Sequence, residues 1–233
     1  MAGIPVEIVR KRIKNLHLAV YPPDGRVRIA VPTHIDDDAV RVAVSTQIAW
    51  IHRQQARMRA QPRQSARDMV TGESHYVDGR RYLLRVVERP TRPSIRVVGV
   101  RTLEIVVRPG TERDQRLALL ERWYRKRLRE QVGQLVETWE PVMGVTVEEY
   151  GIRKMKTRWG SCNPRAGRIW LSLELAKKSP GCVEYVVVHE MVHLLERKHD
   201  DRFRGFMDQF LPTWRLLRDE LNRAPLAHED WEY

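Results

Sequence analysis

His189-Glu190-Met191-Val192-His193 sets two imidazoles four residues apart, with a carboxylate beside the first. On a helix, positions i and i+4 lie one turn apart on one face. His189 and His193 can therefore offer nitrogens to one metal ion. Glu190 is then placed to take a proton from a water bound to that ion. His199 extends the pattern to H-E-x-x-H-x5-H. A helix ending near Arg197 or Lys198, followed by a tight turn, would fold His199 back as third ligand. Three protein ligands plus one water is the open arrangement of catalytic zinc. The rival third ligand is an acid further on, Asp208 or Glu220.

The element that must position these groups is a helix buried on several sides. Val183, Val186, Val187, Leu194 and Leu195 repeat at helical spacing. Ser179-Pro180 gives it a start, with serine as N-cap and proline in the first turn. Burying two imidazoles and a carboxylate without partners is costly, and a metal supplies the reason for them.

The chain has 233 residues and a formal net charge of +12. Most of the basic excess lies in its first half, which is compatible with nucleic acid, acidic protein or a phosphorylated substrate as partner. Two cysteines, Cys162 and Cys182, make no disulfide framework, and both thiols are expected reduced. The first residues lack the apolar core of a signal peptide, and no apolar run reaches membrane-spanning length. The expected location is cytoplasmic, with no membrane partner. The sequence does not set the oligomeric state.

Along the chain, Val6–Arg10, Asn15–Val20 and Val27–Val31 alternate as strands, the last two forming a hairpin across Pro22-Pro23-Asp24-Gly25. One helix is expected over 39–58, with Trp50 against that sheet, and then a connector over 60–70. Asp78-Gly79 marks a second hairpin, and strands continue at 82–87, 95–98 and 103–107. Residues 114–138 are helical, and Pro141 to Gly144 ends that helix. Strands follow at Val145–Tyr150, from Arg153 into a turn at Cys162, and at Arg168–Ser172. Phe203, Phe206, Phe210, Trp214, Leu217 and Leu221 mark a last helical region interrupted at Pro212. The fold class is α+β. Residues 1–112 read as a β-rich region with one helix, and 113–233 as the metal-binding catalytic domain. Arg158, or Lys156, is a candidate to stabilise a developing oxyanion; Tyr150 and Tyr185 read better as packing. Arg158 pairing with an acid such as Glu184 is the structural alternative. Cys162 as a fourth ligand would close the metal shell. His17, His34, His52, His75 and His228 lack partner spacing and read as surface or loop residues.

Met155-Lys156-Thr157-Arg158-Trp159-Gly160-Ser161-Cys162, a short hairpin, and then Tyr185 to His193 with His199 resemble the YgjP-like metallopeptidase family, related to the SprT and WLM groups of zincin peptidases. Trp50-Ile51, Tyr76 to Tyr82 and Trp123-Tyr124-Arg125 match more weakly. The resemblance implies a zincin-like catalytic domain after a β-rich N-terminal region. It implies one zinc ion on His189, His193 and His199, with Glu190 as general base. Asp200, Asp201, Phe203 and Arg204 depart from the family's usual residues after the third histidine, which bears on substrate preference. Metzincins share the histidine spacing but carry glycine where this chain has Glu196, and no methionine turn follows. The leading expectation is a zinc-dependent metallopeptidase acting on peptides. The alternatives are a nucleoside triphosphate pyrophosphatase acting on UTP through the same site, and a DNA-associated SprT-like protease or binding module.

Overall fold

The structure, a computed structural model, describes residues 4–21, 25–60, 67–155 and 158–223. These fall into two compact units, the first ending at residue 64 and the second beginning at 65. Lys156, His228 and the Pro22-Pro23-Asp24 turn lie outside the described residues.

In the first unit, β1 (Val6–Lys11), β2 (His17–Tyr21) and β3 (Arg26–Pro32) form a sheet in the order β1-β3-β2. The expected hairpin is present, with β2 antiparallel to β3; β1 joins on the other edge, parallel. Val27, Ile29 and Val31 alternate inward and pack with Val40, Val44 and Ile51, and Trp50 lies against that core. The single helix expected over 39–58 is two: α1 (Asp37–Ser45), capped by the Asp36 side chain, and α2 (Ile48–Ala60). The break falls at Thr46, whose hydroxyl donates to the Ala43 carbonyl at 2.9 Å, a competing bond of the kind that weakens helix continuation.

The second unit begins with β4 (Ser74–Val77), β5 (Arg80–Glu88), β6 (Ser94–Val98) and β7 (Thr102–Val107), ordered β4-β5-β7-β6. Asp78 and Gly79 turn the β4–β5 hairpin with φ of 50° and 79°, as a two-residue primed turn requires. Helix α3 (Arg113–Met143) buries Leu120, Tyr124, Leu128, Val132 and Val136, one residue per turn. It runs through Pro141 and stops at Gly144, where a φ of 65° gives the left-handed cap that glycine adopts freely. The expected strand at 145–150 begins late: β8 is Glu149–Arg153. The expected strand over 153–162 is reduced to β9 (Gly160–Asn163). A 3-10 turn leads to β10 (Arg168–Ser172), which pairs with β8 in parallel and with β9 antiparallel. The last elements are α4 (Pro180–Val192), α5 (Asp201–Phe210) and α6 (Trp214–Arg223).

A domain boundary at 112/113 is not what the packing gives. Met69, Leu84 and Ile105 share one core with Leu120 and Leu128 of α3 and with Val187 of α4. The Pro109-Gly110 turn therefore links two parts of a single unit. Among the described residues, no helix is long and apolar enough to cross a membrane.

His75 corrects its reading as a surface residue. It sits on β4, 4% exposed, and its Nε2 has no hydrogen-bond partner. Burial, reinforced by Arg67 and Lys177, lowers its pKa to about 4 from an ordinary 6.5. Between those values the unfolded chain binds more protons than the folded one. The contribution is therefore complete above pH 6.5 and is lost as pH falls toward 4. In chelator, stability to urea should drop by about 2 kcal/mol between pH 7.5 and 5 from this group. The drop should be smaller by that amount in His75→Phe; equal drops in both proteins would refute the assignment.

Candidate metal centre

Helix α4 is apolar on most of its circumference: Cys182, Val183, Val186, Val187, Val188, Met191 and Val192 are all buried. Such a helix is held from every side. Its N-terminus is pinned as the sequence predicts. The Ser179 hydroxyl accepts from the Cys182 N–H at 3.4 Å and donates to Glu220 of α6 at 2.6 Å. The β4–β5 hairpin docks on the preceding residues, with Asp78 N–H to Ala176 O at 3.3 Å and Gly79 N–H to Lys177 O at 3.2 Å.

The C-terminus of α4 differs from expectation. The helix ends at Val192, with His193 as C-cap, rather than near Arg197 or Lys198. Leu194, Leu195 and Glu196 donate back to Met191 and Val192 carbonyls, which closes the end and starts the return. This earlier stop leaves the five residues between His193 and His199 free of the helix, enough for the loop to fold back. The result brings the three imidazoles together: His199 Nε2 lies 3.0 Å from His189 Nε2 and 3.1 Å from His193 Nε2. Behind them the Phe203 ring of α5 stands 4.7 to 4.9 Å from all three rings. Asp200 caps α5 through the Phe203 N–H at 3.1 Å, which places that ring.

The donor set fits a divalent metal. Tetrahedral Zn–N bonds of about 2.0–2.1 Å put ligand nitrogens about 3.3 Å apart, close to the observed separations. His193 Nδ1–H donates to the Glu196 carbonyl at 3.0 Å, so its Nε2 carries the free lone pair. Burial, then the neighbouring histidines, lowers the His189 pKa to about 3, and burial lowers that of His193. Both rings are therefore neutral, as ligands must be. His189, His193 and His199 form a cluster able to hold an ion. The rival acids are engaged elsewhere: Asp208 accepts from Trp214 Nε1 at 2.8 Å and pairs with Arg215, and Glu220 accepts from Ser179.

Glu190 is 6% exposed, and burial raises its pKa to about 8 against the opposing charge of Arg158. Its carboxylate lies against β9. A Cβ built on Gly160 would stand 2.6 Å from Glu190 Oε1 and 2.7 Å from its Cγ. The glycine is needed for that contact, and its φ is not left-handed. Spacing alone gave no sign of this, because the reason is a tertiary neighbour. Phe203 carried a weak signal, four residues beyond His199.

The histidines and Glu190 line a cleft of about 940 Å³ whose opposite wall is β9 and the residues flanking it. Among the described residues β9 pairs in its sheet with β10 alone, and its other edge has no strand partner. Arg158 lines the cleft and is exposed. It does not pair with Glu184, which accepts from Trp139 Nε1. Tyr185 also lines the cleft, while the Tyr150 hydroxyl sits against Gly133 of α3. Cys162 lines it too but stands outside the histidine cluster, and burial followed by the Glu190 charge raises its thiol to about 11.

A family model described as YgjP-like, metallopeptidase domain, matches residues 14–224. Among solved structures, the chain is similar to the metallopeptidase zymogen of Pyrococcus abyssi abylysin, at 20% identity and a TM-score of 0.36, over 39% of this chain and 90% of that one. It is also similar to the zymogen of Methanocaldococcus jannaschii jannalysin, at 12% and 0.34, over 40% and 92%. No curated protein matches by sequence. The family anticipated from the Arg158–Cys162 and His189–His193 motifs is thus the one matched over most of the length, and the chain belongs to the YgjP-like metallopeptidase family of metal-dependent hydrolases.

Proposed function

We propose that the protein is a zinc-dependent peptidase whose substrate lies extended along β9. When bound by His189, His193 and His199, a zinc ion would leave one position for water and lower that water's pKa. Glu190 takes a proton from the attacking water and returns it to the leaving nitrogen. Arg158 lies near enough to bias the charge of Glu190 and acts on the developing oxyanion. The observation that carries the peptide reading is the edge of β9 beside Glu190, which has no strand partner among the described residues. Unpaired backbone N–H and C=O groups there recognise another extended chain by strand addition, and a nucleotide has no use for them.

The test is fragment release from an unfolded protein by the zinc-loaded enzyme. Cleavage should stop on chelation and return on adding zinc. Pyrophosphate release from nucleoside triphosphates with no fragments would replace this reading. In parallel, His199→Ala should weaken zinc binding, read by competition with a chelating dye. The loss should exceed the roughly hundredfold that removal of a supporting group costs. Unchanged affinity would remove His199 from the ligand set.

A further inference from the structure

Three arginines surround the cleft: Arg158 two residues before β9, Arg165 in the turn after it, and Arg197 on the loop leading to His199. All three are exposed, and none has an ion pair among the described residues. Several other arginines of this unit are paired with acids. Arg85 and Arg96 share Glu104, Arg116 pairs with Glu88, Arg127 with Asp78, Arg204 with Asp201 and Arg215 with Asp208. Acids near the third histidine are already taken: Glu196 faces Arg202 and Asp200 caps α5. Among the described residues, the one carboxylate lining the cleft is Glu190, which is buried. The rim is thus a cationic frame with nothing of its own to neutralise.

We propose that Arg165 and Arg197 make the enzyme selective for acidic polypeptide, binding Asp or Glu side chains beside the scissile bond, while Arg158 keeps its role at the oxyanion. This deepens the peptidase reading and rests on it. The placement argues for side chains rather than a terminal carboxylate. A strand advances about 3.3 Å per residue, so a chain paired along the four residues of β9 carries the residues beyond that pairing past Arg165 in the turn that follows. Guanidinium forks suit carboxylates. Exposed pairs are each weak and screened by salt, so selectivity arises from several acting together.

The test uses zinc-loaded Glu190→Ala protein and fluorescent peptides identical except for Glu, Gln or Lys at the positions flanking a central apolar pair. Anisotropy should rank Glu above Gln by about tenfold at low salt, with Lys weakest, and the gap should shrink in 0.5 M salt. Adding Arg165→Glu and Arg197→Glu, both at exposed positions, should erase or reverse the order. Equal binding of the three peptides, or an order unchanged by the charge reversals, overturns the proposal. Inorganic tripolyphosphate binding more tightly than the Glu peptide, with that advantage lost in the same variant, would assign the rim to phosphate and also overturn it. Wild-type enzyme that cleaves none of the peptides while the binding order holds would count against the peptidase reading and leave the rim's selectivity standing.

Discussion

Glu190→Gln should abolish hydrolysis, lowering kcat/KM by at least about a thousandfold, and should leave the zinc content of the protein unchanged. Glutamine matches glutamate in shape, so the close fit against Gly160 survives. The amide cannot accept the proton that the reaction requires. His189, His193 and His199 keep their positions, because none of them hydrogen-bonds Glu190. Steady-state kinetics and metal stoichiometry on one preparation decide the matter. A rate within tenfold of wild type would place the base elsewhere.

Gly160→Ala should lower activity by about a hundredfold without loss of metal. The added methyl would fall 2.6 to 2.9 Å from three atoms of the Glu190 carboxyl-bearing chain. Either β9 moves away or the carboxylate turns aside, and both disturb the distance between base and substrate edge. Gly205 on α5 is the natural control, since a Cβ there meets nothing within 4 Å. Gly205→Ala should keep full activity and add about 0.5–1 kcal/mol of stability. Equal activity of the two alanine variants would show that the Gly160 contact does not matter.

The histidine cluster was legible because its spacing is local. His189 and His193 are read off helical periodicity, and His199 off the shortness of the loop. The helix end was misjudged because Leu194 and Leu195 continue the apolar pattern, whereas a series of backbone bonds to Met191 and Val192 terminates the helix first. The division of the chain was misplaced for a related reason. Pro109-Gly110 looks like a linker, yet only the shared packing of Leu84, Ile105, Leu120 and Val187 reveals one core. His75 looked idle because a lone histidine in a strand carries no sign of burial. Gly160 and the parallel pairing of β1 with β3 and β5 with β7 depend on distant partners, which no local pattern encodes.

The histidine cluster is written within a single short stretch, ten positions separating His189 from His199. Closing so small a loop costs little chain entropy, and the cost grows only slowly with length. The opposing wall, Gly160 and β9, comes from a distant part of the chain and needs the whole second unit assembled. Affinity for an ion and competence for catalysis are therefore built by interactions of different range. A truncated, partly folded or destabilised form can retain the first after losing the second, so a bound metal is no certificate of a working enzyme.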